Sequence, residues 1–73
     1  MSTIAAIGEA RLLDGYALAG VSVLAAEGAD AQRAAWNRLE PGVGLVLLTD
    51  ESRRSLEDVL DDRSDLLWIV VSP

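Results

Sequence analysis

The sequence predicts a three-layer α/β domain built on a four-stranded parallel sheet. Three observations carry that expectation. Short apolar runs alternate with amphipathic segments along the whole chain. Glycine, proline or helix-capping residues stand at each change of pattern. The run Val43–Leu48 is apolar on both faces, as a central parallel strand covered by helices on each side must be.

Taken in order, residues 3–7 form a short apolar run closed by Gly8, which favours a buried strand over a helix segment. Residues 9–19 then place Leu13, Tyr16, Ala17 and Gly20 at spacings of three and four, with Leu12 and Ala19 widening the stripe, so one face can lie on a sheet. Glu9 suits the positive end of that helix. Gly15, inside the run, is expected where helix and strand approach closely, and Gly20 is expected to end the helix in the left-handed conformation. Residues 21–26 read as the second strand, 27–30 as a turn with Asp30 as N-cap, and 31–39 as a helix burying Ala31, Ala34, Ala35 and Leu39. Trp36 beside that stripe reads as a packing residue. Glu40-Pro41-Gly42 stops the helix before the third strand, where Gly44 suggests close backbone packing. Thr49 or Asp50 caps a third helix that buries Leu56, Val59 and Leu60 and exposes Arg53, Arg54, Glu57, Asp58 and Asp61. A polar break over 61–65 leads to a last strand over 66–71. Right-handed crossovers make this β-α-β-α-β-α-β chain a parallel sheet, with the flavodoxin-like strand order 2-1-3-4.

Composition narrows the function more by exclusion than by assertion. Seventy-three residues make one domain, residues 1–73, whose small core leaves a margin of only about 3–5 kcal/mol. There is no Cys to form a staple or a thiolate ligand, no His and no Lys. Schiff-base chemistry, a P-loop lysine and the usual acyl-transfer triads are thereby excluded. A net charge of −6 argues against nucleic acid and against an anionic membrane surface. Neither a leader peptide nor a run long enough to span a bilayer is visible, so the chain is expected in the cytoplasm.

In a sheet of this order, ligands sit beyond the C-terminal strand ends, near the switch point between strands one and three. Glu9 and Asp50 fall there, and Thr49 and Ser72 stand near the same rim. Two carboxylates could hold Mg²⁺ as a receiver-like regulatory domain does. The plainer reading is that acids at helix starts satisfy backbone N–H groups. A dinucleotide fingerprint fails because Gly8 is followed by Glu9, Ala10 and Arg11 instead of a bare backbone cradle. The charge run 51–58 reads as a solvated helix face or as a docking face. The last strand, over 66–71, would be an edge without charge or proline in its apolar run, a feature monomers avoid. A partner, a second copy pairing through that edge, or a C-terminal segment beyond this chain is the expected cover.

Two stretches carry a family resemblance. Residues 4–8 followed by an acid, and then Gly15-Tyr16-Ala17-Leu18-Ala19-Gly20-Val21, are similar to the corresponding strand and Gly-aromatic-x-Leu-Ala-Gly segment of the small central-stalk F subunit of the V-type and A-type ATPases. Val43-Gly44-Leu45-Val46-Leu47-Leu48-Thr49-Asp50-Glu51 resembles that family's third strand and turn, and Val70-Val71-Ser72-Pro73 resembles the end of its last N-domain strand. Ala17 stands where the family often has Arg, and Glu9 where Asp is common. The family continues past this strand into a C-terminal segment, so the resemblance is to its N-terminal domain.

The resemblance implies a non-catalytic central-stalk role without a cofactor. The domain would assemble with the coiled-coil D subunit of the rotor and with other components of the ATPase, supporting ATP-coupled ion transport from a position peripheral to the membrane. Docking would use the exposed helix faces and the rim: Glu9, Asp50, Glu51, Arg53 and Arg54, with Trp68 on the last strand.

Overall fold

The computed structural model describes residues 3–17 and 19–71. The elements run β1 (Thr3–Gly8), α1 (Ala10–Ala17), β2 (Ser22–Ala25), α2 (Ala29–Asn37), β3 (Val43–Leu48), α3 (Asp50–Ser55), a 3₁₀ turn (Leu60–Asp62) and β4 (Leu67–Val70). The four strands form one parallel sheet in the order β2-β1-β3-β4. This is the expected flavodoxin-like arrangement, and it leaves β2 and β4 as edges.

Two apolar clusters flank the sheet. The larger joins Ala5, Ile7, Val46 and Leu48 of the central strands to Ala35 and Trp36 of α2 and to Leu56, Leu60 and Leu66. The smaller joins Ala6 and Leu47 to Leu13 of α1, with Tyr16, Val21, Val23, Leu45 and Val71 around them. So α1 covers one face, while α2 and α3 cover the other. Trp36, 4 % exposed, is a packing residue as expected.

Gly44 marks a bulge instead of the close packing expected of it. Thr3 pairs with Val43, yet Ile4 pairs with Leu45, so Gly44 is the extra residue on β3. The extra residue reverses which face the strand's odd-numbered side chains take. Val43 therefore joins the larger cluster and Leu45 the smaller one.

Gly20 has φ 87°, the conformation expected of a helix-stopping glycine. The backbone N–H groups of Ala19 and Val21 both donate to the Tyr16 carbonyl, at 3.0 and 3.2 Å, closing the turn into β2. Leu18 lies outside the described residues. Because α1 already ends at Ala17, Ala17 and Ala19 are exposed, and the buried stripe is narrower than expected: Leu13 with half-buried Leu12 and Tyr16.

Four further expectations are corrected. Gly15 is not a close-packing site, because a Cβ added there meets nothing within 4 Å. Gly28, with φ 87°, occupies the N-cap of α2, which places Asp30 in the first turn without a side-chain capping bond. The buried face of α2 is Gln32, Ala35 and Trp36, with Leu39 half-buried beyond the helix, while Ala31 and Ala34 are exposed. Burying the indole releases far more water-exposed apolar surface than burying two methyl groups, so Trp36 sets the helix rotation. The third helix is α-helical only through Ser55. The chain then tightens into turns in which the N–H groups of Val59 and Leu60 both donate to the Leu56 carbonyl, at 2.9 and 3.0 Å. Those turns bring Leu56 and Leu60 into the core together and leave Val59 half-buried.

Candidate functional site

The switch point beyond the C-terminal ends of β1 and β3 is built tightly. The Thr49 N–H donates to the Ile7 carbonyl at 3.4 Å, and the Ala26 N–H donates to the Gly8 carbonyl at 2.8 Å, so all three strand ends are tied at one level. Thr49, rather than Asp50, is the N-cap of α3: its Oγ1 accepts from the Ser52 N–H at 3.3 Å and donates to Ser52 Oγ at 3.1 Å. Thr49 and Ser52 are both buried. A Cβ added to Gly8 would lie 2.7 Å from Thr49 Oγ1, and nearer still to its Cγ2. The capping side chain of α3 therefore fills the space beside Gly8 that a phosphate-cradling loop would leave open.

The structure does not bring the sequence-predicted residues to one point. Glu9 follows β1 but turns to its own neighbour, its Oε2 accepting from Arg11 Nε at 3.1 Å. Asp50 opens α3 and is exposed. Glu51 reaches across to α2, where its Oε1 accepts from Gln32 Nε2 at 2.7 Å and from the Gly28 N–H at 3.4 Å. It thus accepts the backbone N–H of the N-cap residue of α2 from the neighbouring helix. Arg53 is half-buried and Arg54 exposed, both in the last turn of α3. Trp68 is half-buried on β4, paired with Val46 and packed on the larger cluster. Among the described residues no group of three or more acidic side chains is placed to hold a metal ion.

Two contacts that join α2 to α3 were missed in the sequence. Gln32 is fully buried and ties the helices through Glu51, while also donating to the Ala26 carbonyl at 3.3 Å; its Oε1 has no partner. Its spacing of three and four before Ala35 and Trp36 was the available signal. Arg33 makes a two-bonded pair with Asp58, at 2.7 and 3.1 Å, and also donates to the Ser55 carbonyl at 3.1 Å. The hydrogen bond, and then the charge of Asp58, raise the Arg33 pKa; the same bond holds the Asp58 carboxyl below its ordinary value. Nothing in the sequence marks a pair 25 residues apart. Arg63 and Asp65 form a second such pair, at 3.0 Å, before β4.

A small cleft of about 170 Å³ opens at the other end of the sheet, between Thr3, Ser22, Leu24, Arg38, Leu39, Glu40 and Val43. It lies at the N-terminal strand ends, away from the rim where doubly wound sheets bind ligands, and is smaller than the usual ligand pocket. Together, fold and rim define a small doubly wound α/β domain whose switch point is closed by packing. No family model matches the chain, and neither the curated proteins nor the solved structures compared with it gave a match. No helix among the described residues is long and apolar enough to cross a membrane.

Proposed function

We propose that this chain is a non-catalytic docking module of the F-subunit kind, assembling with the coiled-coil stalk of a rotary V/A-type ATPase. One observation carries the proposal. Within the segment Gly15 to Val21, on which the resemblance rests, Gly20 reverses the chain at φ 87°, and Tyr16 and Val21 seat α1 and β2 on the smaller cluster. A scaffold family is recognisable by such a segment, whereas an enzyme would be recognisable by reactive groups. The absence of His, Cys and Lys from the sequence is in keeping with a domain that acts by being held in place.

The docking face in this reading is the charged outer side of α3, with Arg54 exposed and Arg53 half-exposed beside Asp50. Co-purification of the chain with the coiled-coil D subunit of such a rotor tests the proposal. The wild-type chain is expected to be retained, and the double reversal Arg53→Glu/Arg54→Glu to lower retention at least tenfold. Failure of the wild-type chain to bind would remove the stalk role.

A further inference from the structure

The exposed apolar side chains of this domain gather on its last strand. Among the described residues the large ones left in solvent are Ile4, Leu67, Ile69 and Val70, and all but Ile4 belong to β4. They stand on both faces of the sheet. Leu67 and Ile69 pair with Leu45 and Leu47 and lie on the α1 side, while Val70 pairs with Leu48 and lies with Trp68 on the α2–α3 side. Leu67 is 72 %, Ile69 49 % and Val70 38 % exposed. A helix laid on one face would cover only one of these sets. A strand added in the plane of the sheet touches both.

The backbone asks for the same occupant. β4 is an edge strand. The Val71 N–H donates to the Leu48 carbonyl at 2.8 Å. Successive residues of a strand aim their N–H and C=O groups at opposite edges, so Leu67 and Ile69 share the direction of Val71 and bond to β3. Trp68 and Val70 turn theirs outward, where no other strand lies among the described residues. No charge, proline or bulge stands between Leu66 and Val71 to turn a second strand away. The other edge is different. On β2 the exposed residues are Ser22 and Ala25, and Leu24 and Val23 pack on the larger and smaller clusters.

A second copy of β4 is a strand of matching length, apolar on both faces, with the same outward groups. We infer that two copies of this chain pair through β4, antiparallel about a two-fold axis at Ile69, joining their sheets into one. In that register Trp68 of each copy stands opposite Val70 of the other, and each such pair exchanges both backbone hydrogen bonds. Ile69 meets Ile69 of the second copy at the closer, non-hydrogen-bonded position, and Leu67 meets Val71 beside it on the α1 side. An axis at Trp68 would set Val70 opposite Leu66, and one at Val70 would set Trp68 opposite Ser72, in each case a residue outside β4. The pairing occupies the β4 edge of both copies and so closes at the dimer. It leaves the outer side of α3 open in each copy, and it does not depend on the stalk reading. The interface is short and each copy carries −6, so half-association is expected near roughly 0.1 mM.

Sedimentation equilibrium from about 10 µM to about 1 mM should show a monomer passing to a dimer. Over the same range, hydrogen exchange at the Trp68 and Val70 amides of the ¹⁵N-labelled wild-type chain should slow at least threefold, while the Ile69 and Val71 amides, already bonded to β3, change little. Val70→Pro deletes an outward donor and spares the bonds to β3, a place where edge strands accept proline. Ile69→Arg sets like charges opposite each other on the axis. Each variant should raise the dissociation constant at least tenfold, with circular dichroism reporting the fold. Because exchange is read on the wild-type chain, it decides the matter even where a variant fails to fold. A monomer throughout the range, a dimer whose Trp68 and Val70 amides exchange as fast as the monomer's, or a dimer that both folded variants leave intact would overturn the inference. So would a mass that keeps growing with concentration, the mark of β4 pairing head to tail with β2.

Discussion

Substituting Gly8 by Ala tests the account of the switch point directly. The new methyl carbon would stand 2.7 Å from Thr49 Oγ1 and 3.1 Å from Thr49 Cβ. Thr49 cannot simply swing aside, because its Oγ1 caps α3 and its own backbone is tied to Ile7. Overpacking of this kind costs about 1–3 kcal/mol. Losing the cap would cost about 1 kcal/mol more, partly offset by about 0.5 kcal/mol from the less flexible unfolded chain. A net loss of about 2 kcal/mol follows, and in a domain of this size each kcal/mol moves Tm by about 4–8 °C. Thermal unfolding followed by circular dichroism should therefore show Tm lower by roughly 10–15 °C.

Thr49→Ser, which deletes the Cγ2 and keeps the capping oxygen, should recover part of that loss in the double variant. Gly15→Ala is the internal control. It lies in α1 with open space around its missing Cβ, so the substitution should stabilise by about 0.5–1 kcal/mol. A Gly8→Ala Tm within about 3 °C of wild type would refute the reasoning, because such a small change corresponds to less than about 1 kcal/mol.

Trp36→Ala should cost about 3–5 kcal/mol, comparable to the whole margin of about 3–5 kcal/mol that a core of this size leaves; urea denaturation would show whether a native baseline survives. Asp58, whose pKa is lowered chiefly by its hydrogen bond from Arg33, contributes stability above the unfolded carboxylate pKa and loses it as pH falls through the lower folded value. Tm measured from about pH 6 to about pH 2 should thus fall less steeply in Asp58→Asn than in wild type, and salt at about 0.5 M should shrink the difference because both partners are exposed. Arg33, with its pKa raised, keeps its contribution below the ordinary arginine value and so shapes no part of that window.

Much of this molecule was legible before its structure. The apolar run Val43–Leu48 announced a central strand, Gly20 and Pro41 the helix ends, and Thr49-Asp50 a cap at one of two neighbouring positions. These are local signals: periodicity, φ preference and a hydroxyl within reach of a backbone N–H depend only on neighbours in the chain. Strand order also followed, because right-handed crossovers leave few ways to lay four parallel strands.

Choices between equally compatible local options were decided by the tertiary structure. Either stripe of α2 could have been buried until Trp36 and Gln32 found the sheet and Glu51. Gly15 was expected to be a tight contact, but β3 delivered Thr49 beside Gly8 instead. Gly44 could have been a contact or a bulge until Ile4 paired with Leu45. Glu9 and Asp50 shared a rim in the topology, yet Glu9 closed on Arg11 and Asp50 opened a helix whose hydroxyl cap lay one residue earlier. The sequence by itself determined which segments are strands and helices and the order in which they lie, because those follow from short-range preference and chain handedness. Only the tertiary structure decided which faces close and which strip of the sheet stays open, because burial compares surfaces brought together from distant parts of the chain.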